Sequence, residues 1–142
     1  MKKISVLFLA GVLSIALSAA SVAQDESQSG QEAGEPLFQV ARLVIAGSVD
    51  NLEPVGVVDA FAASTEKVYC FLEAKQIRED TTARFAWYHG ETRMAVVELP
   101  LRKGARWRTY SSKKLGGNAG DWRVEIQDAD ENILEVVGFS VE

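Results

Sequence analysis

Residues 121–127 read Asp121-Trp-Arg-Val-Glu-Ile-Gln127, and their alternation decides the fold. Trp122, Val124 and Ile126 fall on one side of an extended chain, with Arg123, Glu125 and Gln127 on the other. Successive side chains of a strand point to opposite faces, so this is a half-buried strand with one wet face. The same period recurs upstream. Ala83, Phe85 and Trp87 alternate with Arg84, Ala86 and Tyr88, while Val68, Cys70 and Leu72 alternate with Tyr69 and Phe71. Further strands are predicted at Gln39–Val49, Met94–Leu101, Ala105–Ser111 and Ile133–Val141. Turn residues separate most of them: Asp50-Asn51, Gly90, Lys103-Gly104, Gly116-Gly117-Asn118 and Asp128–Asn132.

No stretch sustains a helical period. Asp59–Glu66 has room for a turn or two of helix, but Pro54 and Gly56 precede it and the segment is short. Seven short strands in about a hundred residues predict an all-β domain, an antiparallel immunoglobulin-like β-sandwich. A small closed β-barrel is the second architecture compatible with the pattern.

The N-terminal residues carry an address rather than a fold. Lys2 and Lys3 are followed by the apolar run Ile4–Leu17 and by Ser21-Val22-Ala23, the layout of a cleavable secretory signal over residues 1–23. The run is short for a membrane span, no basic residue follows it closely, and no second run is long enough to cross. The expected location is periplasmic or secreted, with no stable membrane span after cleavage. Residues 24–36, QDESQSGQEAGEP, contain four acids, no base and no aromatic or β-branched residue, the composition of a flexible tether. Residues 37–142 are then a single domain, long enough to bury a core without staples.

Charge and cysteine usage narrow the function classes. The 142-residue chain has a net charge of −5, and about −7 once residues 1–23 are removed, which argues against nucleic acid as a partner. Cys70 is the lone cysteine, so no intrachain disulfide is available. Its setting, Val-Tyr-Cys-Phe-Leu, makes it a small apolar core residue.

Catalytic and metal signatures are missing. His89 is the one histidine, and no cysteine or carboxylate stands at metal-ligand spacing from it. A hydrolase would have to pair His89 with Ser111, Ser112 or carboxylates, yet no nucleophile motif frames either serine. Asp128-Ala-Asp-Glu-Asn132 starts like a calcium loop, but Ile133 and Phe139 stand where the loop needs Gly and Glu, so it reads as a polar hairpin turn. No catalytic residue, metal site or cofactor is assigned.

The segment that stands out is Gly104-Ala-Arg-Trp-Arg-Thr-Tyr-Ser-Ser-Lys-Lys114. Six bases lie between Arg102 and Lys114, and residues 99–119 contain no acid. By period two Arg106, Arg108 and Tyr110 share one face, opposite Trp107, Thr109 and Ser111. Arginine forks suit carboxylates and tyrosine both stacks and hydrogen-bonds. Arg106, Arg108, Tyr110, Lys113 and Lys114 are therefore the candidate binding residues, with an acidic protein segment or an anionic glycan as partner. The plainer reading is a solvated strand face whose charges discourage edge-to-edge association.

Several stretches together resemble one family. Asn51-Leu-Glu-Pro54, Val68-Tyr-Cys-Phe71, Trp87-Tyr-His89, Arg106-Trp-Arg-Thr-Tyr-Ser-Ser-Lys113 and Gly120-Asp-Trp-Arg-Val124 running into Phe139 look like the bacterial domain-of-unknown-function family 2914. The resemblance spans roughly Val40–Val141. It implies a small extracytoplasmic or membrane-associated accessory module and brings no assigned activity or functional residue. At Asn132, where a turn glycine would be comfortable, the asparagine is expected to take up left-handed backbone. The expected function is a non-enzymatic periplasmic binding or interaction module. A structural envelope accessory protein is the alternative, and a hydrolase using His89 is the reading with least motif support.

Overall fold

The computed structural model describes residues 35–142, so the expectations for the signal segment and for residues 24–34 of the tether lie outside the described residues. Nine strands follow one another: β1 Gln39–Asp50, β2 Glu53–Val57, β3 Ala60–Phe61, β4 Lys67–Ile77, β5 Thr81–His89, β6 Thr92–Leu101, β7 Gly104–Lys114, β8 Gly120–Gln127 and β9 Ile133–Val141. They form two open sheets, ordered β2-β1-β4-β7 and β3-β9-β8-β5-β6. The all-β sandwich expected from the alternation is what the chain adopts, and because both sheets are open it is not a closed barrel.

Two corrections apply to the strand count. Pro54 and Gly56 read as breakers, yet Glu53–Val57 pairs with β1. Pro54 lacks an N–H to offer, and an edge strand is where that loss is tolerated. Ala60–Phe61 lies in the segment given room for a helical turn, and instead pairs in parallel with Ser140–Val141. The sandwich is thus antiparallel except at this one short pair.

The inner faces follow the sequence period. Val68, Cys70, Leu72 and Ala74 of β4 join Ile45 of β1 against Ala83, Phe85 and Trp87 of β5 and Trp122, Val124 and Ile126 of β8. The sheets are also tied by a polar link, since Trp87 Nε1 donates to the buried Ser111 Oγ across the sandwich at 3.1 Å. Burying the indole with its N–H satisfied gains its large apolar area without stranding a donor. Phe139 closes one end, stacked on Trp122 at 5.9 Å and edge-on to Phe61 at 5.8 Å. Cys70 is fully buried and unbridged, and burial pushes its thiol pKa far up, which keeps it in the unreactive form.

Two places depart from the two-face pattern, and in the five-stranded sheet the outward Ala86, Glu125 and Gln127 are buried rather than wet. In the four-stranded sheet Phe71 alternates away from the core yet is fully buried, as is its outer-face neighbour Ala46. The cover comes from β1 and β2. Strand β1 pairs with β4 only from Gln39 to Ala46; beyond that it pairs with β2 alone. Glu53 is bonded to Arg42 at 3.5 Å, although its partner Asp50 is eight residues further along β1, about 26 Å if extended. The hairpin ribbon therefore doubles back at Gly47 over the outer face. The lengths agree, because Ala46 to Arg42 and Val57 to Glu53 are each four residues, about 13 Å. On the ribbon, half-buried Val49 and Pro54 alternate with exposed Ser48 and Val55, so the former pair is the side turned to the sheet.

Turn chemistry fits in part. Asn51 and Leu52 connect β1 to β2 with φ of 52° and 57°, the two positive values a type I′ hairpin needs. Asparagine suits this; leucine does not. In the Asp128–Asn132 turn the left-handed residue is Glu131, φ 70°, and not Asn132. Asn132 is instead held by Asp128, whose Oδ1 accepts from the Asn132 and Asp130 N–H groups at 2.9 Å each. Leu52 is half exposed, so replacing it sacrifices little packing. Leu52→Gly is expected to stabilise the domain by about 0.5–1 kcal/mol, strain relief outweighing the glycine entropy. Thermal unfolding should show a rise of a few degrees; a fall would mean that the leucine side chain contributes more than its backbone costs.

Candidate functional site

Strand β7 lies at one edge of the four-stranded sheet. Its pairing with β4 sets Arg106 opposite Lys75, Arg108 opposite Glu73, Tyr110 opposite Phe71 and Lys114 opposite Lys67. On the far side of β4, Arg42 stands opposite Glu73 and Val44 opposite Phe71. Arg42, Glu73 and Arg108 therefore form one rung across three strands, all on the outer face. Of the five candidate residues, Arg106, Arg108, Tyr110 and Lys114 are brought together there. Lys113 is not: it alternates to the side of Trp107, Thr109 and Ser111, and its ammonium turns to the Lys114 carbonyl at 3.1 Å. The period-two face wins over proximity in sequence.

The arginines are already engaged. The Arg106 guanidinium holds Glu73 at 2.5 Å, and Arg108 holds Glu53 Oε2 at 2.7 Å while Arg42 reaches Oε1 of the same carboxylate at 3.5 Å. Arg108 also leans towards the Leu52 carbonyl at 3.4 Å. Glu53 is thus gripped from two strands, which ties the hairpin tip to the sheet. Beneath it the Arg42 guanidinium sits 5.6 Å from the Phe71 ring centre, a cation–π contact. Three arginines face two glutamates, so this part of the face keeps an excess of positive charge within an acidic chain.

Exposure separates the two glutamates. The Glu73 side chain is 11 % exposed and Glu53 is 49 % exposed. Glu73 consequently depends on Arg106 for compensation, whereas the Glu53 contacts are water-screened. Beside them a groove of about 410 Å³ opens between Leu52, Arg106, Trp107 and Arg108. Tyr110 packs edge-on against Tyr69 at 5.8 Å, and the Lys67 ammonium lies 5.5 Å from the Tyr69 ring. The face thus runs from an arginine rung at the hairpin tip to a lysine–tyrosine patch.

His89 and Ser111 lie elsewhere, while Ser112 shares the outer face with Tyr110 and Lys114. His89 Nε2 is 2.7 Å from the Ala119 carbonyl, and its ring stacks on Trp122 at 4.8 Å. Ser111 Oγ is the acceptor for Trp87. His89 and Ser111 are each committed to a structural contact, whereas Ser112 stands exposed beside Tyr110. Among the described residues, no three His, Cys, Asp or Glu side chains converge to hold a metal ion.

A second polar surface went unnoticed in the sequence reading. On the outer face of the five-stranded sheet, Arg84 bonds Glu98 and donates to Gln127 at 3.2 Å, Gln127 donates to Glu125 at 3.2 Å, and Arg123 reaches Glu125 at 3.1 Å. The Arg123 guanidinium also stacks 4.0 Å from the Tyr88 ring centre. Arg123, Glu125 and Gln127 share a face by the very alternation quoted first, so the signal was present. The network is closed on itself, which reads as sheet-face stabilisation.

The comparisons with known proteins bear on the family. A family model described as "Protein of unknown function (DUF2914)" matches residues 80–141, a span that takes in β5–β9 and so the whole of β7. The hairpin and β4 lie outside the matched span. No curated protein matches the chain. Among solved structures, the beta-glucosidase of Kluyveromyces marxianus is similar at 12 % identity and a TM-score of 0.47, over 75 % of this chain and 14 % of that one. The beta-glucosidase of Listeria innocua in complex with glucose is similar at 11 % identity and a TM-score of 0.48, over 75 % and 16 %. The chain therefore spans about a seventh of those enzymes' length.

The contrast between the two glutamates is measurable. Arg106→Gln should destabilise the domain by about 1–2 kcal/mol, because it strands the poorly exposed Glu73 carboxylate. Arg108→Gln should cost under about 1 kcal/mol, as screened surface pairs do. Urea unfolding of both variants checks this, and equal losses would contradict the assigned difference.

Proposed function

We propose that this chain, which belongs to the DUF2914 family through residues 80–141, is a non-enzymatic binding or protein-interaction module of the cell envelope. Its contact surface is the outer face of β1, β4 and β7, with Arg106, Arg108 and Tyr110 at the centre and Lys114 at the end. The observation that carries the reading is the convergence of Arg42, Arg106 and Arg108 on a half-exposed face, in excess over the two acids that meet them. Guanidinium forks on a rigid strand recognise carboxylates with fixed geometry, and Tyr110 adds a flat apolar surface beside them. The partner class is an acidic protein segment or an anionic glycan.

The non-enzymatic part of the reading draws support from the commitments of His89 to Ala119 and of Ser111 to Trp87. The envelope part rests on the export pattern of residues 1–23. A structural accessory role is favoured by one observation, the internal pairing of Arg106 and Arg108 with Glu73 and Glu53, which would leave the face with no outside partner.

A photo-crosslinking residue at position 110, in cells that make the protein naturally, separates the two. With Arg106 and Arg108 intact an adduct is expected, and it should vanish when both are changed to glutamine. No adduct, or one indifferent to the arginines, would overturn the contact surface in favour of the structural role.

A further inference from the structure

We propose that Glu53 is an internal stand-in for a ligand carboxylate, and that an acidic protein segment takes its place between Arg42 and Arg108 when the β1–β2 hairpin lifts. This rests on the reading of the outer face as a contact surface and adds how that surface is gated. Two guanidinium groups from different strands converge on one carboxylate, Oε1 at 3.5 Å and Oε2 at 2.7 Å, an arrangement that any incoming glutamate can reproduce. The occupant arrives on an extended backbone whose Leu52 carbonyl also meets Arg108. An extended polypeptide supplies both groups, a side-chain carboxylate and a main-chain carbonyl, which favours a peptide over a sugar acid.

The hairpin is built to move. Beyond Ala46 it makes no pairing with β4, and it is anchored to the sheet through a base where Gly47 and Gly56 face each other, Gly56 at φ 73°. Its tip holds Leu52 in left-handed backbone, strain of the kind found where a segment must switch. The clasp is weak in proportion: Arg42, Arg108 and Glu53 are 41–49 % exposed, and such pairs contribute little in water. Lifting the hairpin uncovers Phe71 as an apolar floor beneath Arg42 and leaves three arginines facing Glu73 alone. The cover is therefore both an electrostatic competitor and a lid over the apolar part of the site.

Hexaglutamate peptide is the probe, its binding followed by tryptophan fluorescence, since Trp107 lines the adjoining groove. If the hairpin is down nine-tenths of the time, removing the clasp raises apparent affinity by at most about tenfold, the limit set by full opening. Glu53→Gln should thus bind more tightly than the native chain, by up to about tenfold, and adding Arg108→Gln should abolish the gain. Hydrogen exchange of the native chain gives a second readout independent of that variant's folding: saturating peptide should speed exchange at residues 48–56 and leave β8 unchanged. Equal affinities for the native chain and Glu53→Gln, or slower exchange in the hairpin, would overturn the gate. If, in that case, Arg106→Gln with Arg108→Gln still loses the peptide, the contact surface survives without its gate. Binding by no form overturns both, and binding of oligogalacturonate in place of the peptide overturns the peptide class.

Discussion

Phe71 sits on the side of β4 that alternation assigns to water, opposite Val44 and Tyr110, and a benzyl group there would expose a large apolar area. Keeping it dry requires something to lie across the sheet. The β1–β2 ribbon does so, and it is retained by polar contacts at its tip, where Glu53 bridges Arg42 and Arg108. Burial of a phenylalanine is worth about 1.5–3 kcal/mol, whereas each exposed ion pair adds less than about 1. The apolar cover and the charged clasp therefore differ in kind: the first supplies most of the energy and the second sets the register. A site whose floor is apolar and whose rim is ionic results from one hairpin being folded back.

The same arrangement means that the basic segment is not laid out as a simple positive patch. Arg106 compensates Glu73, a nearly buried acid, and so belongs to the structure of the sheet. Arg108 and Arg42 grip an acid that is half in water and carried by a two-stranded ribbon. Charges of one type on one face thus divide into a structural pair and an exchangeable one. The division follows from burial, which controls how strongly water screens each pair.

Much of the sandwich was legible in the sequence because its inner faces keep strict period two: Trp122, Val124 and Ile126 occur at strand spacing between polar neighbours, and Ala83, Phe85 and Trp87 at the same spacing. β2 and β3 were not, since Pro54 and Gly56 carry breaker chemistry and a two-residue parallel strand leaves no periodic trace. On the site, Arg106, Arg108 and Tyr110 were placed correctly on one face by alternation. Lys113 was grouped with them by charge, although the same alternation sets it with Ser111. Glu53 was beyond reach, as its link to Arg108 spans fifty-five residues and depends on where a hairpin bends. Phe71 was invisible for a related reason: a residue covered from outside the sheet looks, in one dimension, like any outward side chain.

The position of that hairpin is the central claim, and nuclear Overhauser contacts of the Phe71 ring test it most directly. The folded-back ribbon predicts cross-peaks from the Phe71 ring protons to side chains of residues 48–55, with the ring protected from solvent relaxation agents. A Phe71 ring that shows contacts only to Val44, Tyr69 and Tyr110, and is relaxed by a soluble paramagnet, would place the hairpin away from the sheet and contradict the account.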